Sequence, residues 1–545
     1  MVVLAVAGAY YLGDTARPPY RPGSVPRRPL NPVANNIATP ADQGQLAISP
    51  APVPAADSGF GFANVQDLAK QRSEAPYEPG SSKLPPAIAH LTYDQYQSIR
   101  FRRADALWRN QSLYEVQFFH RGFNFDRRVA ISEIVDGAPQ PVPYNSAWFD
   151  FGKVVRQPGK LPRDLGYAGF RIHYPLHTPN YRDELIVFLG ASFFRVLARN
   201  QDYGLTARGL AINTGSKDGE EFPWFTDFWL VRPTDPEQRI LTLYALLDSE
   251  SITGAYQFTV RPGSITQVEV SSVLYPRRSI QKLGIAPLTS MFLFGADPSG
   301  HRFDDPRPQV HDSDGFMAET GAGEWLWRPL RNPPRELRIN RFLDEHPHGF
   351  GLIQRDRDFS HYEDPVARFQ RRPSYWIQPL GDWGKGGAEL VEIPTDEAIH
   401  DNIALFWVPE QSVTAGSELK FSYLLSAYTD SPSWPPGGKA LATRITDATP
   451  DEQHNLSHSD ARRVSIDFGG GDLDGLDATQ PLQALLTASG GTTEDVTVQR
   501  LVDSGLWRVS FLVVPAHLHD TVDLHCYLQL YGESLTETWT EQLAT

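Results

Sequence analysis

The chain of 545 residues contains a single cysteine, Cys526, and this scarcity excludes several classes of protein. One thiol cannot form a disulfide within the chain, a CxxC redox site or a zinc site with several cysteine ligands. An oxidising compartment stays open, because a chain of this length buries a full core without disulfides. We interpret Cys526 as a small buried side chain rather than a nucleophile.

Positive charge and cofactor motifs are also scarce. The chain has 50 lysines and arginines against 65 acidic residues, which gives a formal net charge of −15. Such a chain repels phosphate backbones, so we predict no nucleic-acid partner. The GxSxG, HExxH, Walker A and complete GxGxxG motifs are absent, and we therefore predict neither a metal nor a cofactor.

The first 57 residues do not have the pattern of a folded domain. Residues 1–13 form an apolar run shorter than the ~20 residues needed to cross a bilayer. The run favours an export signal, although the usual preceding positive charge is missing, and an ordinary chain terminus is the alternative. Residues 14–57 hold ten prolines and follow no helical or strand period, which indicates an extended tether.

The remaining sequence has the pattern of an all-β protein. Stretches such as RILTLYALLD (239–248) and SITQVEVSSVLYP (264–276) are rich in β-branched and aromatic residues and are bounded by Gly, Pro and Ser. Only two helices are expected, near 62–73 and 93–107, where polar and apolar residues follow a looser spacing.

These strands divide into two predicted domains. The larger, over 58–408, suggests a large antiparallel β-sandwich. The polar, turn-rich stretch 409–417 is the predicted linker. Strands closely spaced over 418–545 are typical of a small immunoglobulin-like β-sandwich.

Aromatic and carboxylate residues are what the sequence offers for function. Twelve Trp, 21 Tyr and 29 Phe make up 11% of the chain, and many lie beside polar or Gly-Pro segments. Aromatic faces stack on sugar rings while nearby polar groups bond the hydroxyls, so a neutral polysaccharide suits this inventory. Filling the core of a large sandwich is the competing explanation for any single Trp.

Two segments concentrate these residues, one at 311–329 and one at 371–408. The first places Asp312 in a Gly-rich loop, and the second places Asp401 just before an apolar strand. A partly desolvated Asp favours its protonated form and can act as a general acid. Glycosidic cleavage usually needs a second carboxyl group that activates water. The alternative is that each Asp only caps a turn.

At these segments the sequence resembles the periplasmic glucan biosynthesis family, whose members are OpgG and OpgD (also MdoG and MdoD), and it is most similar to the OpgD type. Strings that carry the resemblance include FFHRGFNFDRRV (118–129), HDSDG (311–315), GFGLIQRDRDFSHYED (349–364), RRPSYWIQPLGDWGKG (371–386) and LVEIPTDEAIHDNIALFWVPE (390–410). The resemblance runs almost continuously from about residue 60 to 535.

The resemblance implies a galactose-mutarotase-like β-sandwich followed by an immunoglobulin-like domain. It also implies export to the periplasm of a Gram-negative bacterium and anomer-inverting action on β-1,2-glucan. Asp312, the first Asp of HDSDG, corresponds to the family's general base, and Asp401 corresponds to its general acid. We expect His311 to orient Asp312 and Asn402 to support Asp401.

Further residues are expected to line the sugar subsites. They are Arg372, Tyr375, Trp376, Trp383 and Trp325, together with His311.

Several alternatives stay open from the sequence. The attacking group is water in hydrolysis, or a sugar hydroxyl in transglycosylation and cyclisation. A non-catalytic glucan-binding or assembly factor would share the same fold and aromatics. A polysaccharide lyase would instead need a Tyr or His base and a uronic acid substrate. A membrane glucan synthase and a second copy of the chain are the candidate protein partners.

Overall fold

The computed structural model describes residues 59–297, 301–429, 434–449, 461–517 and 521–544. Nearly every regular element in these ranges is a β-strand, which confirms the all-β prediction. The proposed signal and tether, 1–57, lie outside the described residues. No helix in the described part of the chain has the length and apolar character needed to span a membrane.

Ten strands form the first large sheet, which we call the site sheet. Its order is β2-β6-β7-β8-β9-β15-β24-β23-β20, and β10 also pairs with β15. The strands are β2 (Glu115–Phe119), β6 (Gly169–Tyr174), β7 (Asp183–Leu189), β8 (Phe193–Val196), β9 (Thr206–Arg208), β10 (Leu210–Ile212), β15 (Leu283–Ser290), β20 (Arg338–Glu345), β23 (Lys385–Glu392) and β24 (Ile403–Pro409).

Fifteen strands form the second sheet, which we call the long sheet. Its order is β28-β31-β33-β19-β18-β21-β22-β25-β14-β13-β12-β11-β3-β4, with β32 on β31. The strands are β3 (Ala130–Val135), β4 (Ala138–Pro141), β11 (Trp224–Val231), β12 (Leu241–Asp248), β13 (Ile252–Arg261), β14 (Thr266–Pro276), β18 (Gly315–Glu319), β19 (Trp325–Pro329), β21 (Gly349–Ile353), β22 (Ser374–Leu380), β25 (Leu419–Tyr428), β28 (Gln483–Ser489), β31 (Thr521–Leu530), β32 (Glu533–Ser534) and β33 (Thr538–Ala544).

Smaller sheets complete the architecture. Two strand pairs and one four-stranded sheet, of order β26-β27-β30-β29, lie outside the two large sheets. Their strands are β1 (Arg100–Phe101) with β5 (Phe149–Asp150), β16 (Phe292–Phe294) with β17 (Val310–His311), and β26 (Lys439–Asp447), β27 (Arg462–Gly469), β29 (Gly491–Arg500) and β30 (Trp507–Pro515).

The main core lies between the site sheet and the long sheet. Phe188 and Phe194 of the site sheet meet Phe225 and Phe258 of the long sheet in edge-to-face contacts, with ring centroids 5.1 to 6.2 Å apart. Such aromatic pairs add to the free energy gained by burying their surface. The contact between these two inner faces confirms the β-sandwich.

Helix α1 (Phe62–Ser73) coincides with the first predicted helix. Its Val65 and Ala69 are fully buried against β12, β13 and β14, so these strands are covered on both faces. This double cover explains why the sequence of these strands reads as nearly continuous apolar runs. Helix α2 (Tyr93–Gln97) is much shorter than the predicted helix, because the chain turns into β1 at Arg100.

The long sheet also continues into the C-terminal part of the chain. Strand β25, which the sequence suggested as the start of the C-terminal domain, pairs between β14 and β22 of the long sheet. At the other end β33 pairs in parallel with β19, with Trp539 opposite Trp327. The C-terminal strands therefore extend the same sheet that carries the 311–315 loop.

Candidate active site

The short connection 290–292 between β15 and β16 holds the two predicted acidic residues on its two sides. Ser290 pairs with Ile403 of β24, and Asp401 comes just before that strand. On the opposite side, the Asp312 backbone N–H donates to the Met291 carbonyl at 2.8 Å. Neighbouring strands lie ~4.8 Å apart, so the two backbones are separated by about 10 Å, with the connection between them.

The side chain of Asn402 fixes the position of its neighbour Asp401. Its Oδ1 accepts the Phe292 N–H at 2.8 Å, and its Nδ2 donates to the Phe292 carbonyl and the Ile393 carbonyl, each at 3.0 Å. Asn402 is 2% exposed, so these bonds are shielded from water. The structure is thus consistent with the expected support of Asp401 by Asn402.

Asp401 has the environment of a carboxylic acid that keeps its proton. The residue is partly buried, and its Oδ2 is a buried atom with no hydrogen-bond partner among the described residues. Burial raises the pKa of Asp401 to about 7; the Arg195 guanidinium opposes this rise, and the Asp312 carboxylate adds to it. A carboxyl group with this pKa is about half protonated at neutral pH.

Asp312 is more deeply buried but lies among cations. It is 2% exposed, and its Oδ1 lies 3.1 Å from Nε of Arg372. Burial raises its pKa, while Arg372, His311 and Arg195 act in the opposite direction. The net effect is that the pKa of Asp312 is raised, as that of Asp401 is. The two sites differ because Asp312 has a guanidinium 3.1 Å away, whereas the Asp312 carboxylate adds to the rise at Asp401.

The ring of His311 is fully buried, and both ring nitrogens face glutamine oxygens. Nδ1 lies 3.0 Å from Oε1 of Gln354, and Nε2 lies 2.9 Å from Oε1 of Gln309. Each amide is oriented by its own nitrogen, because Gln354 Nε2 donates to a backbone carbonyl at 3.2 Å and Gln309 Nε2 donates to Asp356 at 2.8 Å. Each ring nitrogen thus has a glutamine oxygen within hydrogen-bond distance, and these contacts hold the ring next to Asp312.

Arg195 is a site residue that the sequence analysis missed. It lies on β8, where its Nε donates to Oγ1 of Thr206 at 3.0 Å, and it interacts electrostatically with both Asp312 and Asp401. Thr206 in turn pairs with Thr289 on β15. The signal available in the sequence was a charged residue within the apolar run FFRV, but only the strand order brings it to the acidic pair.

Two other predicted residues lie at or next to the pair, and one of them has a packing role. Arg372 contacts Asp312 directly, as described above. Tyr375 is fully buried, and its hydroxyl accepts from the Val196 N–H and donates to the Val196 carbonyl, both at 2.7 Å. Tyr375 therefore anchors the strand that carries Arg195, and its predicted sugar contact stays a prediction.

The three predicted tryptophans lie apart from the acidic pair. Trp383 is 6% exposed within the main core, and its Nε1 donates to the Ser422 carbonyl at 3.2 Å. Trp325 and Trp376 stack with ring centroids 5.5 Å apart, and Trp376 is only 2% exposed. Core packing accounts for the burial of Trp383 and Trp376, so their predicted contacts with sugar also remain predictions.

Trp376 lines a separate open groove of about 510 Å³. The groove is also lined by Glu319, His346, His348, Gln378, Asp382 and Trp434. It lies at the Glu319 end of β18, whereas the acidic pair lies beyond the Gly315 end, about 14 Å away along the strand. The groove and the acidic pair are therefore two different places on the molecule.

No group of three or more His, Cys, Asp or Glu side chains in the described ranges has an arrangement that could hold a metal ion. The acidic pair offers two carboxyl groups next to Arg195, Arg372 and His311. Fold and site together define an all-β protein of the kind that can carry carboxyl acid–base chemistry.

Comparison with known proteins gives the family. The family model described as "Periplasmic glucan biosynthesis protein, MdoG" matches residues 60–543. The chain belongs to this family, which confirms the resemblance seen in the sequence. Membership supports a role in periplasmic glucan biosynthesis.

Curated relatives match most of the chain. A glucans biosynthesis protein G of Rhodopseudomonas palustris is 43% identical over 493 residues, covering 90% of this chain and 94% of the relative. One of Bradyrhizobium diazoefficiens is 43% identical over 508 residues, covering 91% and 97%. A glucans biosynthesis protein D of Xanthomonas axonopodis pv. citri is 41% identical over 488 residues, covering 89% and 90%. Identity alone does not separate the G and D types for this chain.

Proposed function

We propose that this protein is an anomer-inverting enzyme that acts on linear β-1,2-glucan in the periplasm. The observation that carries the proposal is the unequal environment of two buried carboxyl groups on opposite sides of the 290–292 connection. Asp401 is the general acid, because burial and repulsion raise its pKa to about 7. Asp312 is the general base, because the Arg372 guanidinium lies 3.1 Å from its Oδ1 and opposes the rise in pKa that burial causes.

The reaction follows from these two roles. Asp401 gives its proton to the glycosidic oxygen as the bond from that oxygen to the anomeric carbon breaks. Water or a sugar hydroxyl attacks the anomeric carbon from the opposite face, and its proton passes to Asp312, directly or through a relay. Two carboxyl groups about 6.5–9.5 Å apart leave room for an attacking water in inverting enzymes. In this protein the two carboxyl groups are close enough to interact electrostatically.

The nature of the attacking group decides the product. Water gives shorter linear chains, a hydroxyl of another glucan gives transglycosylation, and a hydroxyl of the same chain gives a ring. A ring is lighter by one water than a linear chain with the same number of glucose units. Transglycosylation gives linear chains longer than the substrate, and hydrolysis gives only shorter ones. All three outcomes use the same two aspartates in the same roles.

The test is to incubate purified protein with linear β-1,2-glucan and to record mass spectra of the products. We expect the wild type to change the chain-length or ring distribution, and Asp401→Asn and Asp312→Asn to abolish that change while still binding glucan. The exposed Asp503→Asn is the matched control and should behave like the wild type. Identical product profiles for wild type and both site variants would leave a non-catalytic glucan-binding or assembly factor as the explanation.

A further inference from the structure

Glu537, just before the C-terminal strand β33, forms a buried ion pair with Arg355, which follows strand β21 of the long sheet. Nη1 and Nη2 of Arg355 donate to its two carboxylate oxygens at 2.6 and 2.7 Å. The Ala440 N–H also donates to Oε1 of Glu537 at 2.9 Å. The Glu537 side chain is fully buried, and that of Arg355 is 14% exposed, so this is a bidentate pair largely shielded from water.

Arg355 is held on its other sides as well. Its guanidinium carbon lies 3.4 Å from the ring centroid of Trp327, a cation–π contact. Its Nη1 also donates to the Ala440 carbonyl at 3.1 Å. The Arg355 side chain is thus held by an aromatic ring and a backbone carbonyl as well as by Glu537.

The backbone of Arg355 in turn holds the loop that carries the candidate base. The N–H groups of Arg355 and Asp356 both donate to Oδ2 of Asp314, the latter at 2.8 Å. Oδ1 of Asp314 lies 3.4 Å from Nε2 of His311. Asp314 therefore links the backbone of residues 355 and 356 to the ring of His311, which precedes Asp312 in the chain.

These contacts form one chain of alternating charge from the C-terminal part of the protein to the candidate active site. Its members, in order, are Glu537, Arg355, Asp314, His311, Asp312 and Arg372. Each neighbouring pair is linked by a side-chain contact, except that Arg355 reaches Asp314 through its backbone N–H, and that His311 and Asp312 are adjacent in sequence and interact electrostatically. Contiguous contacts of this kind can couple two distant parts of a molecule.

We propose that Glu537 is a positioning residue for Asp312 and that it acts through Arg355, Asp314 and His311. This inference rests on the proposed function, in which Asp312 is the general base. The C-terminal strands then do more than extend the long sheet, because they hold the loop that carries the base. Glu537 itself touches neither the candidate base nor the acid.

The test compares Glu537→Gln with a matched control, Glu324→Gln. Glu324 accepts a 2.7 Å bond from the Thr538 hydroxyl, so it also ties the start of β33 to the long sheet, and its hydrogen bonds among the described residues do not involve the 311–315 loop. We expect Glu537→Gln to lower kcat on linear β-1,2-glucan at least tenfold with KM within twofold, and the control to change neither. The reason is that the sugar contacts stay while the charge around Asp312 changes.

A spectroscopic signature separates positioning from general weakening of the fold. In protein labelled with ¹⁵N-histidine, the ring signals of His311, assigned with His311→Gln, should shift in Glu537→Gln and stay in place in Glu324→Gln. In an Asp314→Asn background, Glu537→Gln should lower kcat by less than twofold further, because the link is already broken. Full additivity of the two substitutions would overturn the proposal.

A second variant covers the case in which Glu537→Gln fails to fold. The double replacement Arg355→Met with Glu537→Leu removes both buried charges, and such apolar exchanges are often tolerated. It should lower kcat and shift the His311 signals in the same way. Unchanged signals and kcat in this folded variant would overturn the inference. If the wild type has no activity on glucan, the proposed function fails, and the His311 signals alone decide whether Glu537 positions the loop.

Discussion

Replacing Asp401 with asparagine removes a titrating group whose pKa in the folded protein is about 7, against an ordinary value of 3.8. The unfolded chain loses this proton near pH 4, whereas the folded chain keeps it to about pH 7. Stability linked to the protonated form is therefore complete below pH 4 and is lost as pH rises through 7. At ~1.36 kcal/mol per pH unit, the loss grows from about 1.6 kcal/mol at pH 5 to about 4 kcal/mol at pH 8.

The asparagine variant is neutral throughout and does not have this loss. Between pH 5 and pH 8 the wild type should therefore lose about 2–3 kcal/mol more stability than Asp401→Asn. At ~2.1 cal/mol/K of unfolding entropy per residue, this corresponds to a difference of about 3 °C in the change of Tm. Scanning calorimetry at the two pH values, with Asp503→Asn as control, measures that difference.

Equal changes of Tm in wild type and Asp401→Asn would refute the reasoning. Such a result would mean that Asp401 is already ionised in the folded protein at pH 5. It would then have no proton to give near neutral pH, and the assignment of the general acid would fail. A larger loss in the variant would contradict the sign of the pKa shift.

Three further predictions concern other contacts of the site and the core. Arg372→Met removes the cation 3.1 Å from Asp312. In steady-state kinetics we expect the acidic limb of the pH–rate profile to move to higher pH and kcat to fall about 100-fold or more. Asn402→Ala leaves the Phe292 and Ile393 backbone groups unpaired and should lower the free energy of unfolding by about 1–3 kcal/mol in urea titrations. An unchanged midpoint would contradict a stabilising role for these Asn402 hydrogen bonds. Burial raises the pKa of Cys526 to about 12, so its thiol should resist Ellman's reagent in the native protein and react after unfolding; rapid native reaction would show that it is not buried.

Much of the fold could be predicted from local sequence pattern. Helix α1 and the strands β13 and β14, on either side of the turn at 262–265, follow directly from periodicity and turn residues. Strand β25 could not be assigned to a sheet from local pattern, because its sequence fits either domain. Its pairing with β14 and β22 places it in the long sheet. The predicted helix over 93–107 stops at Gln97, since the chain is taken up by the β1–β5 pair.

The candidate site likewise contains residues that the sequence could indicate and one that it could not. Asp312 and Asp401 could be proposed from their local strings, and the structure brings both to the 290–292 connection. Arg195 could not be proposed, because its place beside them depends on the order of strands that are far apart in sequence. The tryptophans were suggested by composition, which does not distinguish a ring packed in a core from one that faces a sugar.

The central claim is that Asp401 donates a proton on one side of the substrate while Asp312 removes one on the other. Proton NMR of the first products from linear β-1,2-glucan tests it most directly, recorded before the anomers equilibrate. We predict that a newly formed α-anomeric signal, as a reducing end or a new linkage, appears first with the wild type and is absent with Asp401→Asn and with Asp312→Asn. A β-anomer formed first, or equal product from all three proteins, would contradict the account.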